Sequence, residues 1–270
     1  MMNQGRNSFF DNIPPVVKNL LILNMLIWLL CITNLKYHLL GSFDIYDTLS
    51  LHYWESKDFL PIQLFSYMFL HDFSSFWHVL FNMFNLYMFG CIMEHYWGSK
   101  RFLIFYVVCG VGAALTQEAV WSLQFFDMDT PSLIAKYRPD LIGINEMISN
   151  GHLVHSFTSA DGYVINSVSE LRSILLNTYT TIGASGAIFG VMLAFGMTFP
   201  NMPLFFMFIP IPVKAKYMIG FFALAEIFFG VTGRMDNVAH FAHLGGMLFG
   251  ILLILKWRHD KGNNDFSSNF

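Results

Sequence analysis

Charged side chains are scarce in this chain of 270 residues. Only 12% of the residues are Asp, Glu, Lys or Arg, whereas 55% are hydrophobic and the mean hydropathy is +0.49. A soluble domain of this length needs far more charge to cover its surface, so that class is nearly excluded. The net charge of −3 offers no basic field for phosphates, and we expect no nucleic-acid partner.

Cysteine is equally scarce and indicates no particular chemistry. The three cysteines, Cys31, Cys91 and Cys109, all lie inside apolar runs. Their spacing matches neither a C-x-x-C metal motif nor a disulfide framework, and a free thiol in such a run behaves as a small hydrophobe. Cysteine therefore says nothing about redox chemistry.

What the chain does contain is a set of long uncharged stretches. A membrane span needs about 20 apolar residues, because the hydrocarbon layer is about 30 Å thick and a helix rises about 1.5 Å per residue. Four uncharged stretches each predict one helix: 19–35, 73–93, 102–117 and 237–255. The stretch 173–213 contains four prolines, which leaves one span at about 180–199 and a proline-rich turn. A span at about 216–232 carries one acid, Glu226. The prediction is an all-α polytopic membrane protein with six transmembrane helices.

The distribution of Lys and Arg predicts the orientation, because cytoplasmic segments retain these residues. With the N-terminus inside, nine basic residues fall on the inner side and six on the outer side. We therefore expect a cytoplasmic segment at 1–15, a membrane domain at 16–257 and a cytoplasmic tail at 258–270. The first apolar run has no small-residue cleavage site, so it is interpreted as a retained helix.

Two segments outside the predicted helices are long. The first, about 37–75, is rich in aromatic residues, and Leu39 to Leu64 could lie flat on the outer leaflet with Tyr53, Trp54 and Phe59 at headgroup depth. The second, about 122–178, has the pattern of an extracytoplasmic insertion between the third and fourth helices. Its role cannot be predicted from the sequence.

Polar residues within the predicted spans are the candidates for chemistry, because an unpaired polar group in hydrocarbon is costly. They are His78, Asn82 and Asn85 on the second helix, Ser185 on the fourth, Glu226 on the fifth, and Asn237, His240 and His243 on the sixth. His78 and Asn82 are four residues apart, so both could donate hydrogen bonds to one oxyanion. Alternatively, they only tie neighbouring helices together.

Ser185 lies in a run of small residues at the start of the fourth helix. Gly183 and Gly186 leave its hydroxyl uncrowded, and a helix N-terminus favours developing negative charge. This environment suits a nucleophile, although small residues such as Gly186 and Gly190 also serve close helix packing alone.

His243, Gly246 and Gly250 share one stripe of the sixth helix, since they are spaced i, i+3 and i+7. If this stripe meets the Gly186/Gly190 stripe, the ring of His243 can reach the Ser185 hydroxyl as a general base. The three helices together would then supply a nucleophile, a base and an oxyanion hole.

These motifs, taken in order, resemble the rhomboid family of intramembrane serine proteases. The resemblance rests on His78-Val79-Leu80-Phe81-Asn82-Met83, Gly183-Ala184-Ser185-Gly186 and Ala242-His243-Leu244-Gly245-Gly246, and it covers about 15–257. The turn at Glu94-His95-Tyr96-Trp97-Gly98-Ser99 is also similar. One departure is that Trp54 is followed by Glu55, where the family often has Trp-Arg in its first outer loop.

The resemblance implies roles for individual residues. Ser185 would be the nucleophile and His243 its base, in a dyad without a carboxylate. His78, Asn82 and the backbone N–H of Ser185 would form the oxyanion hole. Phe189 matches an aromatic position that stacks on the histidine, and Gly183, Gly186 and Gly246 would support the site. His240 falls one turn before the catalytic position and could support it.

The resemblance also implies an activity and a setting. The protein would be a serine endopeptidase that cleaves transmembrane segments of single-span membrane proteins within the lipid bilayer, without a metal or cofactor. We expect a bacterial inner (plasma) membrane protein with both termini in the cytoplasm. Glu226 would lie on the helix that the family uses as a gate, or it would be a buried, protonated acid bonded to a neighbour.

Three alternatives come from other classes of protein. A metal-dependent membrane hydrolase could use His78, His240 and His243, but no H-E-x-x-H motif is present. A rhomboid-like adaptor without activity usually lacks the serine or the histidine, and both are present here. A transporter is disfavoured because the sequence shows no internal repeat.

Overall fold

The computed structural model of the chain describes residues 12–41, 43–137, 148–149, 152–153, 157–158, 164–206, 209–233 and 239–263. Its helices, in chain order, are α1 Pro15–Tyr37, α2 Ile45–Leu49, α3 Gln63–Ser66, α4 Phe76–Asn85, α5 Cys91–Trp97, α6 Ser99–Phe125, α7 Thr130–Tyr137, α8 Val168–Leu176, α9 Ser185–Thr198, α10 Ala215–Thr232 and α11 His240–Asn263. A π-helical turn, Leu86–Gly90, joins α4 to α5 without a break.

Short strands accompany the helices. They are β1 Leu51–His52, β2 Ile148–Ser149, β3 His152–Leu153, β4 Phe157–Thr158, β5 Val164–Ile165, β6 Thr180–Thr181, β7 Pro203–Phe206 and β8 Ile209–Lys214, which pair antiparallel as β1–β6, β2–β3, β4–β5 and β7–β8. The segment predicted as a proline-rich turn is thus a two-stranded ribbon, β7–β8. Each strand of a two-stranded ribbon is an edge strand, and it tolerates proline because one side of its backbone has no strand partner.

Five helical segments of the described chain are long and apolar enough to cross a membrane. They are Pro15–Tyr37, Phe76–Trp97, Ser99–Phe125, Ala215–Thr232 and His240–Asp260. The predicted helical, polytopic membrane protein is therefore confirmed. The sixth predicted span corresponds to α9, which has 14 residues and is shorter than a usual span. Six crossings thus stay a prediction.

Helices α6, α9 and α11 form the centre of the bundle. α9 buries residues on every side, including Ile188, Val191 and Phe195, which is the pattern of a helix surrounded by protein. Helices α1 and α10 lie outside this centre and expose large apolar side chains such as Leu26 and Leu224. Such exposed apolar faces suit contact with lipid.

Glycines bring α9 and α11 into backbone contact. A Cβ on Gly246 would lie 1.9 Å from the carbonyl oxygen of Gly186, and one on Gly190 would lie 2.8 Å from that of Gly246. The two glycine stripes therefore meet along most of their length. This contact leaves no room for a side chain at either position and sets the distance between the two helices.

Several predicted helix ends are wrong because a charge was used to mark the boundary. The second span continues past Glu94 to Trp97, since the carboxylate accepts from the backbone N–H of Val16 (2.9 Å) and Val17 (2.7 Å) and from the Ser99 hydroxyl (2.7 Å). The third predicted span, α6, continues past Glu118 to Phe125. The Glu118 carboxylate accepts a hydrogen bond from the backbone N–H of Trp54. Paired carboxylates are tolerated inside such helices.

Three further boundaries shift. The fourth predicted span is α9, which begins at Ser185 and not at about 180. The chain before it is not helical, because β6 pairs with β1 and Gly183 has a φ of +119°. The sixth predicted span is α11, which continues to Asn263, so the predicted boundary of the membrane domain at 257 falls inside this helix. The predicted insertion at 122–178 starts within α6, whose last residue is Phe125.

The first long loop is anchored to α6 and α8. Tyr53 is buried against Trp121 and Phe125. Glu55 pairs with Arg172 (3.2 Å), and Arg172 also donates to the backbone oxygen of Phe125 (3.2 Å). An arginine from a distant segment thus contacts the residue after Trp54. Whether this loop lies on the outer leaflet stays a prediction.

The described part of the second long segment has a small core of its own. Ile134 of α7 packs with Ile165, Leu171 and Leu175. Helix α8 begins with Ser167 accepting from the backbone N–H of Glu170, a capping interaction. The segment is therefore folded in its described part.

Candidate active site

Ser185 is the first residue of α9. Its preceding turn is shaped by Gly183, whose positive φ disfavours any other residue and whose N–H donates to the Tyr67 backbone oxygen (3.0 Å). Tyr67 is buried and its hydroxyl donates to the Gly110 backbone oxygen (2.7 Å). The first backbone N–H groups of α9 have no partner within the helix, so they favour negative charge beside Ser185.

His243 of α11 faces Ser185. Its Nε2 atom lies 2.8 Å from the Ser185 Oγ, a hydrogen-bond distance, and the residue is 8% exposed. Phe189, one turn after Ser185, stacks on the imidazole with ring centroids 4.3 Å apart and an interplanar angle of 7°. The contact that the helix stripes allowed is therefore present, and the stacked aromatic ring restricts the rotation of His243.

His78 presents its Nε2 side to the same place. Its Nδ1 accepts from the backbone N–H of Asp72 (3.2 Å), so the proton of the neutral ring lies on Nε2. A Cβ on Gly183 would lie 3.0 Å from this Nε2 and 3.5 Å from the Ser185 Oγ, so both atoms border the space above Gly183. An oxyanion formed at Ser185 would meet a donor there.

Asn82 lies one turn further along α4. It is 6% exposed, and its side-chain amide donates to the backbone oxygen of His78 (3.0 Å). An amide nitrogen carries two hydrogens, so this bond leaves a second donor in the group. Asn85 donates to the Phe81 backbone oxygen (2.8 Å) and is not part of the Ser185–His243 contact. Asn237 lies outside the described residues.

One cavity of about 1210 Å³ connects these groups. Its lining includes Ser185, His243, His78, Asn82, Phe189 and Glu226. Both apolar and polar side chains line it, as in sites that hold an apolar ligand near a few oriented polar groups. The cavity is large enough for a segment of peptide beside Ser185.

Glu226 of α10 approaches two histidines. Its Oε2 lies 2.6 Å from Nδ1 of His240 and 3.1 Å from Nδ1 of His243, and its side chain is 14% exposed. From the sequence, Glu226 is expected either on the gate helix or as a buried, protonated acid bonded to a neighbour, and His243 is not named as a partner. The available signal was the H-x-x-H spacing, which puts both histidines on one face of α11.

His71 was also missed by sequence reasoning. It is 1% exposed, and the centroid of its ring lies 5.2 Å from that of His78. Burial lowers the pKa of His71 to about 3, so the ring is neutral. It lies in the loop before α4, outside the residues that the span pattern singled out.

The three histidines of the metal-hydrolase alternative do not form a cluster. Donor atoms that lie within 4.8 Å of one another belong to Glu226, His240 and His243, and His78 is not among them. His243 directs its Nε2 to Ser185 and its Nδ1 toward Glu226. This arrangement places the histidine between a hydroxyl and a carboxylate.

Comparison with known proteins identifies the family of this chain. The sequence matches no curated protein. A family model described as a rhomboid domain matches residues 59–125 and 149–259, more than half of the chain. The matched ranges include α4, α9 and α10 and continue through α11 to residue 259. The chain therefore belongs to the rhomboid family, a family of intramembrane proteases.

Proposed function

We propose that this protein is an intramembrane serine endopeptidase in which Ser185 is the nucleophile and His243 is the general base. The observation that carries the proposal is the 2.8 Å contact between the Ser185 Oγ and the His243 Nε2. A serine hydroxyl is a weak nucleophile until a neighbouring base accepts its proton, and an imidazole serves this purpose near neutral pH.

The reaction proceeds in two steps. In the first, the Ser185 Oγ forms a bond to the peptide carbonyl carbon while His243 takes the hydroxyl proton. His78 Nε2, the Asn82 amide and the Ser185 backbone N–H hold the oxyanion, and His243 then gives the proton to the leaving amine as the C–N bond breaks. In the second, water attacks the acyl-enzyme, His243 again acting as base, and Ser185 is regenerated.

The substrates proposed for this site are membrane proteins with a single span. A cavity bordered by apolar side chains such as Phe189 and Met192 accepts a peptide chain, and its polar groups admit the water that hydrolysis needs. The orientation that accompanies this proposal puts both termini in the cytoplasm of a bacterial cell and Ser185 toward the outer face of the inner membrane. Its support is the excess of Lys and Arg on the inner side.

The adaptor and metal-hydrolase alternatives have less support. An adaptor needs neither a Ser185–His243 contact nor a donor at His78. A metal hydrolase that used His240 and His243 with Glu226 would have no need of Ser185. The serine mechanism employs Ser185, His243 and His78 together.

Cleavage of a model single-span substrate by purified protein in lipid vesicles tests the proposal. Ser185→Ala and His243→Ala should each lower the rate by about 1,000-fold or more, and EDTA should leave the wild-type rate unchanged. Ser122→Ala and His95→Ala are matched controls, because Ser122 only bonds to the Glu118 backbone and His95 to the Cys91 backbone. Equal cleavage by wild type and Ser185→Ala would reject the nucleophile. Loss of cleavage in EDTA would favour the metal enzyme.

A further inference from the structure

A carboxylate lies between two histidines on the side of His243 that faces away from Ser185. The Glu226 Oε2 is 3.1 Å from the His243 Nδ1 and 2.6 Å from the His240 Nδ1. Glu226 comes from α10, whereas both histidines come from one face of α11. The catalytic contact, Ser185 to His243, is thus continued by a third group on a different helix.

We propose that Glu226 is a positioning residue that holds His243 in the orientation and tautomer needed for catalysis, and that His240 in turn holds Glu226. The site would then work as a Ser185–His243–Glu226 triad and not as the dyad that the family resemblance implied. This inference rests on the proposed function, because it assigns a partner to the proposed base.

The tautomer argument begins at Ser185. For the His243 Nε2 to accept the hydroxyl proton, a neutral ring must carry its own proton on Nδ1. The His243 Nδ1 is buried and has no hydrogen bond of normal geometry among the described residues, so it needs an acceptor. Glu226 Oε2, at 3.1 Å, is the acceptor within reach of this nitrogen.

A carboxylate at this place also acts during the reaction. When His243 takes the proton from Ser185, it becomes a cation in a cavity that is partly closed to water. A negative charge beside Nδ1 stabilises that cation, and an isolated imidazolium there would be costly. The effect requires only that Glu226 remains close to Nδ1, so it does not involve contact with the substrate.

His240 supplies the second contact that fixes the carboxylate. Its Nδ1 lies at hydrogen-bond distance from Oε2, and its ring stacks on Phe229 of α10 (5.7 Å, 29°). Because His240 and His243 are three residues apart, one carboxylate oxygen can reach both Nδ1 atoms. Two partners on one oxygen restrict Glu226 more than either contact alone.

The packing of α10 suggests a second explanation for the contact between Glu226 and α11. The buried residues of α10, Ala215, Met218 and Ile219, all lie in its first two turns. Beyond them α10 exposes Phe221, Leu224 and Phe228, so few buried contacts hold this half of the helix to the bundle. A simple tether between α10 and α11 is therefore the competing explanation for Glu226, and the test must separate the two.

The experiment measures the labelling of Ser185 by a fluorophosphonate, which reacts with activated serines, and the tautomer of His243. The labelling rate at Ser185 is followed by mass spectrometry on the full chain in lipid, so no natural substrate is needed. The tautomer is determined by ¹⁵N NMR of histidine-labelled protein, with the His243 signal assigned by its loss in His243→Ala. Thermal unfolding is recorded for every variant.

Glu226→Gln should lower the labelling rate by about 10- to 100-fold. In the cleavage assay with the model single-span substrate, it should lower kcat by a similar factor while KM changes by less than about threefold. Glu226→Asp keeps the charge and should fall between wild type and Glu226→Gln. The matched control is Glu118→Gln, since Glu118 is a buried acid in another spanning helix that accepts from Trp54 and does not contact either histidine. Its labelling rate should stay near that of wild type.

The outcomes separate the inference from the proposed function. In wild type, His243 should be protonated on Nδ1, and Glu226→Gln should convert part of it to the other tautomer. A wild-type His243 protonated on Nε2 would overturn the triad even if no Glu226 variant folds. A Glu226→Gln protein that melts earlier but labels at the wild-type rate would show a tether only. Failure to label Ser185 in wild type would instead overturn the proposed function, while the tautomer still decides the role of Glu226.

Discussion

Adding one methyl group at Gly246 should separate the two helices that carry the catalytic pair. A Cβ at this position would lie 1.9 Å from the Gly186 carbonyl oxygen and 2.7 Å from its carbonyl carbon, and both atoms belong to the backbone. Real Cβ contacts essentially never fall below 3.0 Å, so α9 and α11 must move apart by about 1 Å there. No side-chain rotation can relieve such an overlap.

The displacement should lower both stability and activity. Overpacking of this kind destabilises by about 1–3 kcal/mol. Gly186 follows Ser185 directly and Gly246 lies one turn after His243, so the same movement lengthens the 2.8 Å catalytic contact. A misplacement of about 1 Å costs roughly 100-fold in rate. Gly246→Ala should therefore melt somewhat earlier and cleave about 100-fold more slowly.

The assay compares substrate cleavage and thermal unfolding of Gly246→Ala with those of Gly220→Ala in the same lipid. Gly220 lies within α10, and a Cβ there would meet nothing within 4 Å. Alanine at that position should leave the rate unchanged and stabilise the helix by up to about 1 kcal/mol. A Gly246→Ala protein that cleaves within about threefold of wild type would refute the argument that this backbone contact sets the catalytic distance.

Three further predictions concern Phe189, Glu94 and His71. Phe189→Ala removes the ring stacked on His243 and should lower kcat by about tenfold, with little change in melting temperature. Unchanged kinetics would contradict a positioning role for the ring. Glu94→Ala leaves two backbone N–H groups of α1 without their acceptor and should lower the free energy of unfolding by about 3 kcal/mol or more. The control in the same denaturation series is Glu55→Ala, which breaks an exposed ion pair and should cost less than about 1 kcal/mol. The pKa of His71 is lowered to about 3 by burial, so the unfolded chain binds a proton that the folded chain does not between that pH and about 6.5. The contribution of His71 alone lowers the free energy of unfolding by about 2 kcal/mol from pH 7 to pH 5. Relative to wild type, His71→Phe should therefore gain about 2 kcal/mol of stability over this range in denaturation measured at both pH values. An equal change in both proteins would show that His71 does not bind a proton on unfolding in this pH range.

Much of the bundle could be predicted from the sequence because apolar length is a local property. The uncharged stretches identified the long helices. The motifs on α4, α9 and α11 led to the family that the domain comparison confirms. The helix ends were less predictable, since Glu94 and Glu118 continue their helices by accepting hydrogen bonds from residues far away in the chain. These two carboxylates therefore do not mark the ends of their spans, because each has a hydrogen-bond donor within the protein.

The amino-acid order alone also determined which residues could act together, through helical periodicity. His78 with Asn82, and His243 with Gly246, share faces whatever the tertiary structure. What only the tertiary structure decided is which faces meet and in what register. It brought the glycine stripes of α9 and α11 into contact, and it placed Glu226 of α10 beside His243. The approach of a carboxylate from a third helix depends on how separate helices pack, and no pattern within one helix contains that distance.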